Sequence, residues 1–98
     1  MLVWMTSSIE HTRSEMRELE QLISRIAQGE KEALGTLYER THAAIYGFAL
    51  SLVHRPGDAE DILQETFLRI YASAERYQAE GKPLAWMMTI AKNLSRMR

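Results

Sequence analysis

Apolar residues recur along this chain at the spacing of an α-helix. Leu19, Leu22, Ile23 and Ile26 fall at i, i+3, i+4 and i+7, which places their side chains on one helical face. This pattern predicts a first helix over about residues 14–27. Gly29 follows it and is suited to a left-handed cap. Residues 1–14 show no sustained period, and we interpret them as a flexible leader.

Three further helices are predicted, over about residues 31–53, residues 59–76 and from Pro83 to the end of the chain. Asp58 is the expected N-cap of the third helix, and Pro83 suits the first turn of the fourth. Because strand patterns are absent and the loops are short, the sequence predicts an all-α fold, a compact bundle of about four helices. The predicted buried faces are Leu34, Leu37, Tyr38, Ile45, Phe48, Ala49 and Leu52 in the second helix, Ala59, Leu63, Phe67, Ile70 and Ala74 in the third, and Leu84, Met87, Ile90, Ala91 and Leu94 in the fourth.

Composition narrows the class of protein. A length of 98 residues fits one small domain, and 46% apolar residues can form a packed core. The absence of cysteine excludes disulfides and thiolate metal sites, and is compatible with a reducing compartment. No apolar run approaches the ~18–20 residues that span a bilayer, so we predict no membrane insertion.

Charge is distributed unevenly, although the net charge is only −1. Residues 10–65 contain eleven acids and six bases, whereas residues 82–98 contain four bases and no acid. This asymmetry indicates two different partners, one for each half of the chain.

One face of the predicted third helix is polar and lies opposite its apolar face. Asp61, Gln64, Glu65, Leu68 and Ala72 share this stripe at 100° per residue. A solvated face with one stray leucine explains the pattern. The alternative is a docking surface for a protein, with Leu68 as an apolar anchor among hydrogen-bonding groups.

The fourth helix has a basic stripe formed by Thr89, Lys92, Asn93 and Arg96, with Trp86 at its edge. Cationic side chains beside an aromatic ring suit a nucleic-acid backbone and an unstacked base. Two simpler interpretations stay open, because Trp86 could belong to the core and because Lys and Arg are favoured near the C-terminus of any helix.

Residues 58–71 read DAEDILQETFLRIY, which resembles the polymerase-binding helix of extracytoplasmic-function (ECF) sigma factors. A weaker similarity to the opening segment of that family covers GEKEALGTLY at residues 29–38. The resemblance implies a sigma factor region 2 fold over residues 15–98. It also implies that the clamp coiled coil of core RNA polymerase is contacted by Asp61, Gln64, Glu65 and Leu68.

Residues 77–93 read YQAEGKPLAWMMTIAKN and resemble the ECF segment that melts and recognises the −10 promoter element. The resemblance implies that residues 77–83 capture a base flipped from the non-template strand, that Asn93 reads a base, and that Lys92 and Arg96 bind phosphates. The DNA-binding residues implied in this way are Tyr77, Gln78, Lys82, Trp86, Thr89, Lys92, Asn93 and Arg96. Three positions that are often basic in the family carry other residues here, so promoter affinity could be weaker or base preference altered.

The resemblance predicts a cytoplasmic transcription initiation domain that binds without catalysing a reaction and uses no cofactor or metal. An anti-sigma factor is a possible further partner. Nothing in the chain resembles the second, helix-turn-helix domain of the family, which fits an excised domain, a truncated product or a naturally short protein. The alternative is a helical protein-interaction domain that binds no DNA, although such a domain does not require the acid-free last 17 residues.

Overall fold

The computed structural model describes the backbone of residues 2–98 and the side chains of residues 12–98. Helices account for all regular structure within these residues, which confirms the predicted all-α class. None of the described helices has the length and apolar character needed to cross a bilayer. The elements in chain order are α1 (Leu2–Ala27), α2 (Lys31–Val53), α3 (Pro56–Ser73), a 3-10 helix (Ala74–Arg76) and α4 (Pro83–Ser95).

Helix α2 lies at the centre of the bundle and contacts α1, α3 and α4. The apolar stripes predicted for the first and third helices are all buried, and so are Met87, Ala91 and Leu94 of α4. Burial of these stripes provides the main stabilisation, because each fully buried aliphatic side chain contributes roughly 1.5–3 kcal/mol. The core consists of Leu19, Leu22, Ile23, Ile26, Ala33, Leu37, Ile45, Ala49, Ala59, Ile62, Leu63, Phe67, Ile70, Ala74, Met87, Ala91 and Leu94.

The buried face of α2 differs from the prediction. Leu52 and Tyr38 are 43% and 38% exposed. The buried residues instead recur every fourth position, at Ala33, Leu37, Thr41, Ile45 and Ala49. Leu37, Ile45 and Ala49 were predicted correctly. Ala33 and Thr41 were missed because hydropathy favours large apolar side chains, whereas a central helix needs small ones where its neighbours approach. Thr41 satisfies its buried hydroxyl by donating to the Leu37 carbonyl at 2.7 Å.

Two predicted helix starts were wrong. Helix α1 begins at Leu2 and not near residue 14, so the backbone expected to form an irregular leader is helical from Leu2 onwards. Met1, which was also predicted to belong to the leader, lies outside the described residues, and so do the side chains of residues 1–11.

The start of α3 is the second correction. The helix begins at Pro56, and Arg55 is its N-cap, in extended backbone without a side-chain cap hydrogen bond. Asp58 is therefore the third helical residue and not the cap. Proline is favoured at the first position because its ring presets φ and its missing N–H would have no helical partner there.

The turn after α1 is as predicted. Gly29 has a φ of +94°, in the left-handed region that glycine adopts without a Cβ penalty. The Gly29 N–H donates to the Ile26 carbonyl at 2.9 Å, and the Glu30 N–H donates to the Arg25 carbonyl at 3.0 Å. These two bonds form a Schellman motif, which ends α1 and turns the chain into α2.

Candidate functional site

One candidate surface is the exposed face of α3, formed by Asp61, Gln64, Glu65 and Leu68 and called here the α3 acidic face. All four side chains are exposed, and Leu68 is 69% exposed. The opposite side of the helix is fixed in the core by its buried residues, so the orientation of this face follows from burial. The structure therefore brings these predicted residues together as an acidic surface with an uncovered leucine.

Arg98 contacts the α3 acidic face, which the sequence pattern did not predict. Its guanidinium lies 2.9 Å from a Glu65 carboxylate oxygen, 3.5 Å from Asp61 and 3.9 Å from Asp58. Exposed ion pairs of this kind contribute about 0–1 kcal/mol, so an external cation can displace Arg98. The contacts also place the residues that follow α4 beside α3.

The second candidate surface begins with an open pocket between the loop of residues 77–82 and α4. The rings of Tyr77 and Trp86 lie 4.8 Å apart at 50° and form one wall. Both residues are half-buried, and each packs against the core and also lines the pocket. Arg76 was not predicted as a pocket residue. The pocket has a volume of about 390 Å³ and is lined by Arg76, Tyr77, Gln78, Glu80, Lys82, Ala85, Trp86 and Thr89.

Tyr77 is held in place by Glu20 of α1, a contact that spans 57 residues and has no signal in the sequence pattern. The Tyr77 hydroxyl donates to Oε2 of Glu20 at 2.6 Å, and the Gly81 N–H donates to the same oxygen at 2.9 Å. Burial and the neighbouring Glu20 carboxylate both raise the pKa of Tyr77 above its usual value. Tyr77 is therefore a neutral hydrogen-bond donor.

The exposed stripe of α4 extends away from this pocket. Thr89, Lys92, Asn93 and Arg96 are all exposed, as the helical spacing predicted. Thr89 donates its hydroxyl to the Ala85 carbonyl at 2.9 Å. The stripe thus offers two cations and one amide to a partner. Among the side chains of residues 12–98, no group of three or more His, Cys, Asp or Glu could hold a metal ion.

The described residues thus form a small helical binding domain with an acidic face, an aromatic pocket and a basic stripe. Residues 37–98 match the family model described as Sigma-70 region 2. The chain therefore belongs to the sigma-70 region 2 family, as the resemblance in the sequence predicted.

Curated relatives place the similarity among ECF factors. The chain is 32% identical over 75 residues to the ECF RNA polymerase sigma factor SigK of Mycobacterium sp. (strain KMS), a match that covers 76% of this chain and 39% of the relative. It is 35% identical over 75 residues to the SigK of Mycobacterium ulcerans (strain Agy99), covering 76% of this chain and 40% of the relative. The chain thus spans about two-fifths of the length of these relatives.

Among solved structures, the fold is similar to that of an engineered region 2 of sigmaE, determined by NMR in complex with GTAAAA. The TM-score is 0.74 at 24% sequence identity, over 81% of this chain and 82% of the other. At this identity the comparison establishes the shared fold.

Proposed function

We propose that this chain is a transcription initiation domain that binds core RNA polymerase through the α3 acidic face and binds the −10 promoter element through the pocket and stripe of α4. The observation that carries the proposal is the Tyr77–Trp86 pocket, which opens beside a basic helical stripe in a domain of the sigma-70 region 2 family. The domain would act in the cytoplasm, by binding and not by catalysis.

Docking on polymerase is supported by the chemistry of the α3 acidic face. Asp61 and Glu65 offer carboxylates to the basic residues of the clamp coiled coil, and Gln64 between them can fix orientation through hydrogen bonds. Leu68 is the apolar anchor, because it is 69% exposed in the free domain and a partner that covers it removes a large apolar area from water. The pairing of Arg98 with this face shows that the carboxylates can accept a guanidinium.

DNA binding is supported by the aromatic pocket and the neighbouring cations. Flipping a base out of the stack costs a few kcal/mol, which a pocket with a ring wall and polar groups can offset. Gln78 supplies an amide and Lys82 a cation at the pocket, while Lys92 and Arg96 suit the phosphates that follow. The engineered region 2 of sigmaE that has a similar fold was determined in complex with GTAAAA, which supports the −10 element as the ligand proposed here.

The experiment is a binding assay between bacterial core RNA polymerase and the purified chain. The Gln64→Ala/Glu65→Ala variant should lose most of its binding while its helicity is unchanged, because both side chains are exposed. Glu18→Ala/Gln21→Ala is the matched control, since it removes the same two residue types from the exposed surface of α1. Glu18 also pairs with an arginine, Arg40, as Glu65 pairs with Arg98.

Equal binding by the wild type and the α3 variant would refute docking through this face. A folded wild type that binds neither polymerase nor a −10 single strand in its presence would favour the alternative, a helical protein-interaction domain. An anti-sigma factor that sequesters the domain is a further proposed partner, and it would have to cover both surfaces.

A further inference from the structure

The loop of residues 77–82, called here the capture loop, is hydrogen-bonded to α1 through the Glu20 carboxylate. Glu20 accepts hydrogen bonds from Tyr77 at the start of the loop and from Gly81 near its end, at 2.6 and 2.9 Å. The residues between these two points, Gln78, Ala79 and Glu80, are exposed. One acidic side chain therefore joins the start and the end of a loop whose middle is exposed.

We propose that Glu20 is a positioning residue that holds the capture loop in its base-accepting shape and thereby sets the base selectivity of the domain. This inference rests on the proposed function, because it assigns the selectivity of the same pocket to a residue on another helix. Glu20 lies on α1, outside the DNA-binding residues implied by the family resemblance. Its role would be exerted through Tyr77 and Gly81 and not through contact with DNA.

The position of Glu20 is itself rigid. Its neighbours Leu19 and Ile23 are 5% and 1% exposed, so the core fixes this part of α1. Glu20 is half-buried, which shields its hydrogen bonds from competing water. Bonds to an ionised carboxylate are about twice as strong as bonds between neutral groups. The carboxylate is therefore a fixed anchor and not a mobile surface charge.

Each of the two bonds holds a different part of the capture loop. The bond to the Tyr77 hydroxyl fixes the ring that forms a wall with Trp86. The bond to Gly81 fixes a residue with a φ of +79°, where the chain turns towards the buried Pro83 at the start of α4. With both bonds present the pocket is preorganised, so binding a base requires less ordering of the loop.

The first test measures the loop without DNA, by NMR amide hydrogen exchange in the 98-residue chain. In the Glu20→Ala variant the Gly81 amide should exchange about tenfold faster than in the wild type, as expected when one well-formed hydrogen bond is lost. Glu18→Ala, with the same change of charge on the same helix, should leave Gly81 unchanged. Equal exchange in the wild type and Glu20→Ala would overturn the proposed clamp.

The second test measures base selectivity with core polymerase bound. Single strands of the −10 element that differ only at the flipped base should be discriminated about tenfold less by Glu20→Ala, with polymerase affinity unchanged. Glu20→Gln should restore much of the discrimination, because its amide oxygen accepts the same two bonds. Tyr77→Phe keeps the ring and removes the hydroxyl that bonds to Glu20. Made in the wild type, this change should lower base discrimination; made in Glu20→Ala, it should lower discrimination no further.

The two tests separate failure of this inference from failure of the proposed function. If the wild type discriminates bases and Glu20→Ala discriminates equally well, Glu20 does not position the loop. If the wild type shows no discrimination, the proposed function is wrong, and the Gly81 exchange rates still decide whether the Glu20 clamp exists.

Discussion

Leu68 offers the sharpest test of the α3 acidic face, because its contribution to folding and its contribution to binding can be separated. The side chain is 69% exposed, so truncating it to alanine removes little packing from the free domain. We expect Leu68→Ala to change the free energy of unfolding by less than about 0.5 kcal/mol, the usual range for surface substitutions.

The effect on polymerase binding follows from the same exposed fraction. Burying a whole leucine side chain contributes roughly 1.5–3 kcal/mol. With 69% of Leu68 uncovered in the free domain, a partner that buries it gains about two-thirds of that value, ~1–2 kcal/mol. Since 1.4 kcal/mol is a factor of ten, Leu68→Ala should raise the Kd for core polymerase about 5- to 30-fold.

Phe67, the adjacent residue, is the matched comparison. It is 6% exposed, and its ring contacts that of Tyr38 with centroids 5.0 Å apart. Phe67→Ala should therefore destabilise the fold by about 3–5 kcal/mol, as for other buried aromatic residues. Urea unfolding followed by circular dichroism gives the stability of both variants, and fluorescence anisotropy with labelled domain gives Kd.

Two results would refute the reasoning for Leu68. A Kd within twofold of the wild type would mean that the polymerase does not cover this side chain. A loss of stability comparable to that of Phe67→Ala would mean that Leu68 is packed in solution and that the exposed face has been wrongly assigned.

Two further predictions concern the α4 stripe and the glycines. Asn93→Ala should relax base preference more than total affinity, whereas Lys92→Ala should weaken binding to all DNA sequences alike and lower the slope of log K against log salt concentration by about one. Anisotropy titrations against several oligonucleotides and salt concentrations would measure both effects, and identical behaviour of the two variants would contradict this division of roles. Gly81→Ala should destabilise the domain by about 1–2 kcal/mol because the φ of Gly81 is +79°, whereas Gly47→Ala in the interior of α2 should stabilise it by about 0.5–1 kcal/mol because an added Cβ meets no atom within 4 Å. Thermal unfolding measures both changes, and a loss of stability in Gly47→Ala would contradict the exposed position of Gly47 on α2.

Much of the fold was predictable from the sequence, because the direction of a helical side chain follows from its position along the chain. The apolar periodicity predicted α2 over residues 31–53, where the structure has it, and identified the buried faces of α1, α3 and α4. The same periodicity placed Asp61 and Leu68 on one exposed stripe and Lys92 and Arg96 on another. The all-α class needed only these local patterns.

Helix ends were predicted less well, because several residues compete to begin a helix. Asp58 is a favourable cap by type and would start the helix at Ala59, but the helix starts three residues earlier, at Pro56. The chain passes from the left-handed His54, with a φ of 60°, through the extended Arg55 into α3 at Pro56, and proline is favoured at the first helical position. Two local preferences therefore competed, a cap at Asp58 and a proline start at Pro56, and the helix follows the proline.

Contacts between distant residues were decided by the tertiary structure alone. Glu20 meets Tyr77 and Gly81 across 57 and 61 residues, and Arg98 meets Glu65 across 33. Neither pairing has a periodic signal, because each depends on how far apart two helices lie and how they are rotated about their axes. The sequence by itself determined which side chains each helix exposes. The packing of α1 against the loop and α4 determined that one glutamate joins both ends of the capture loop.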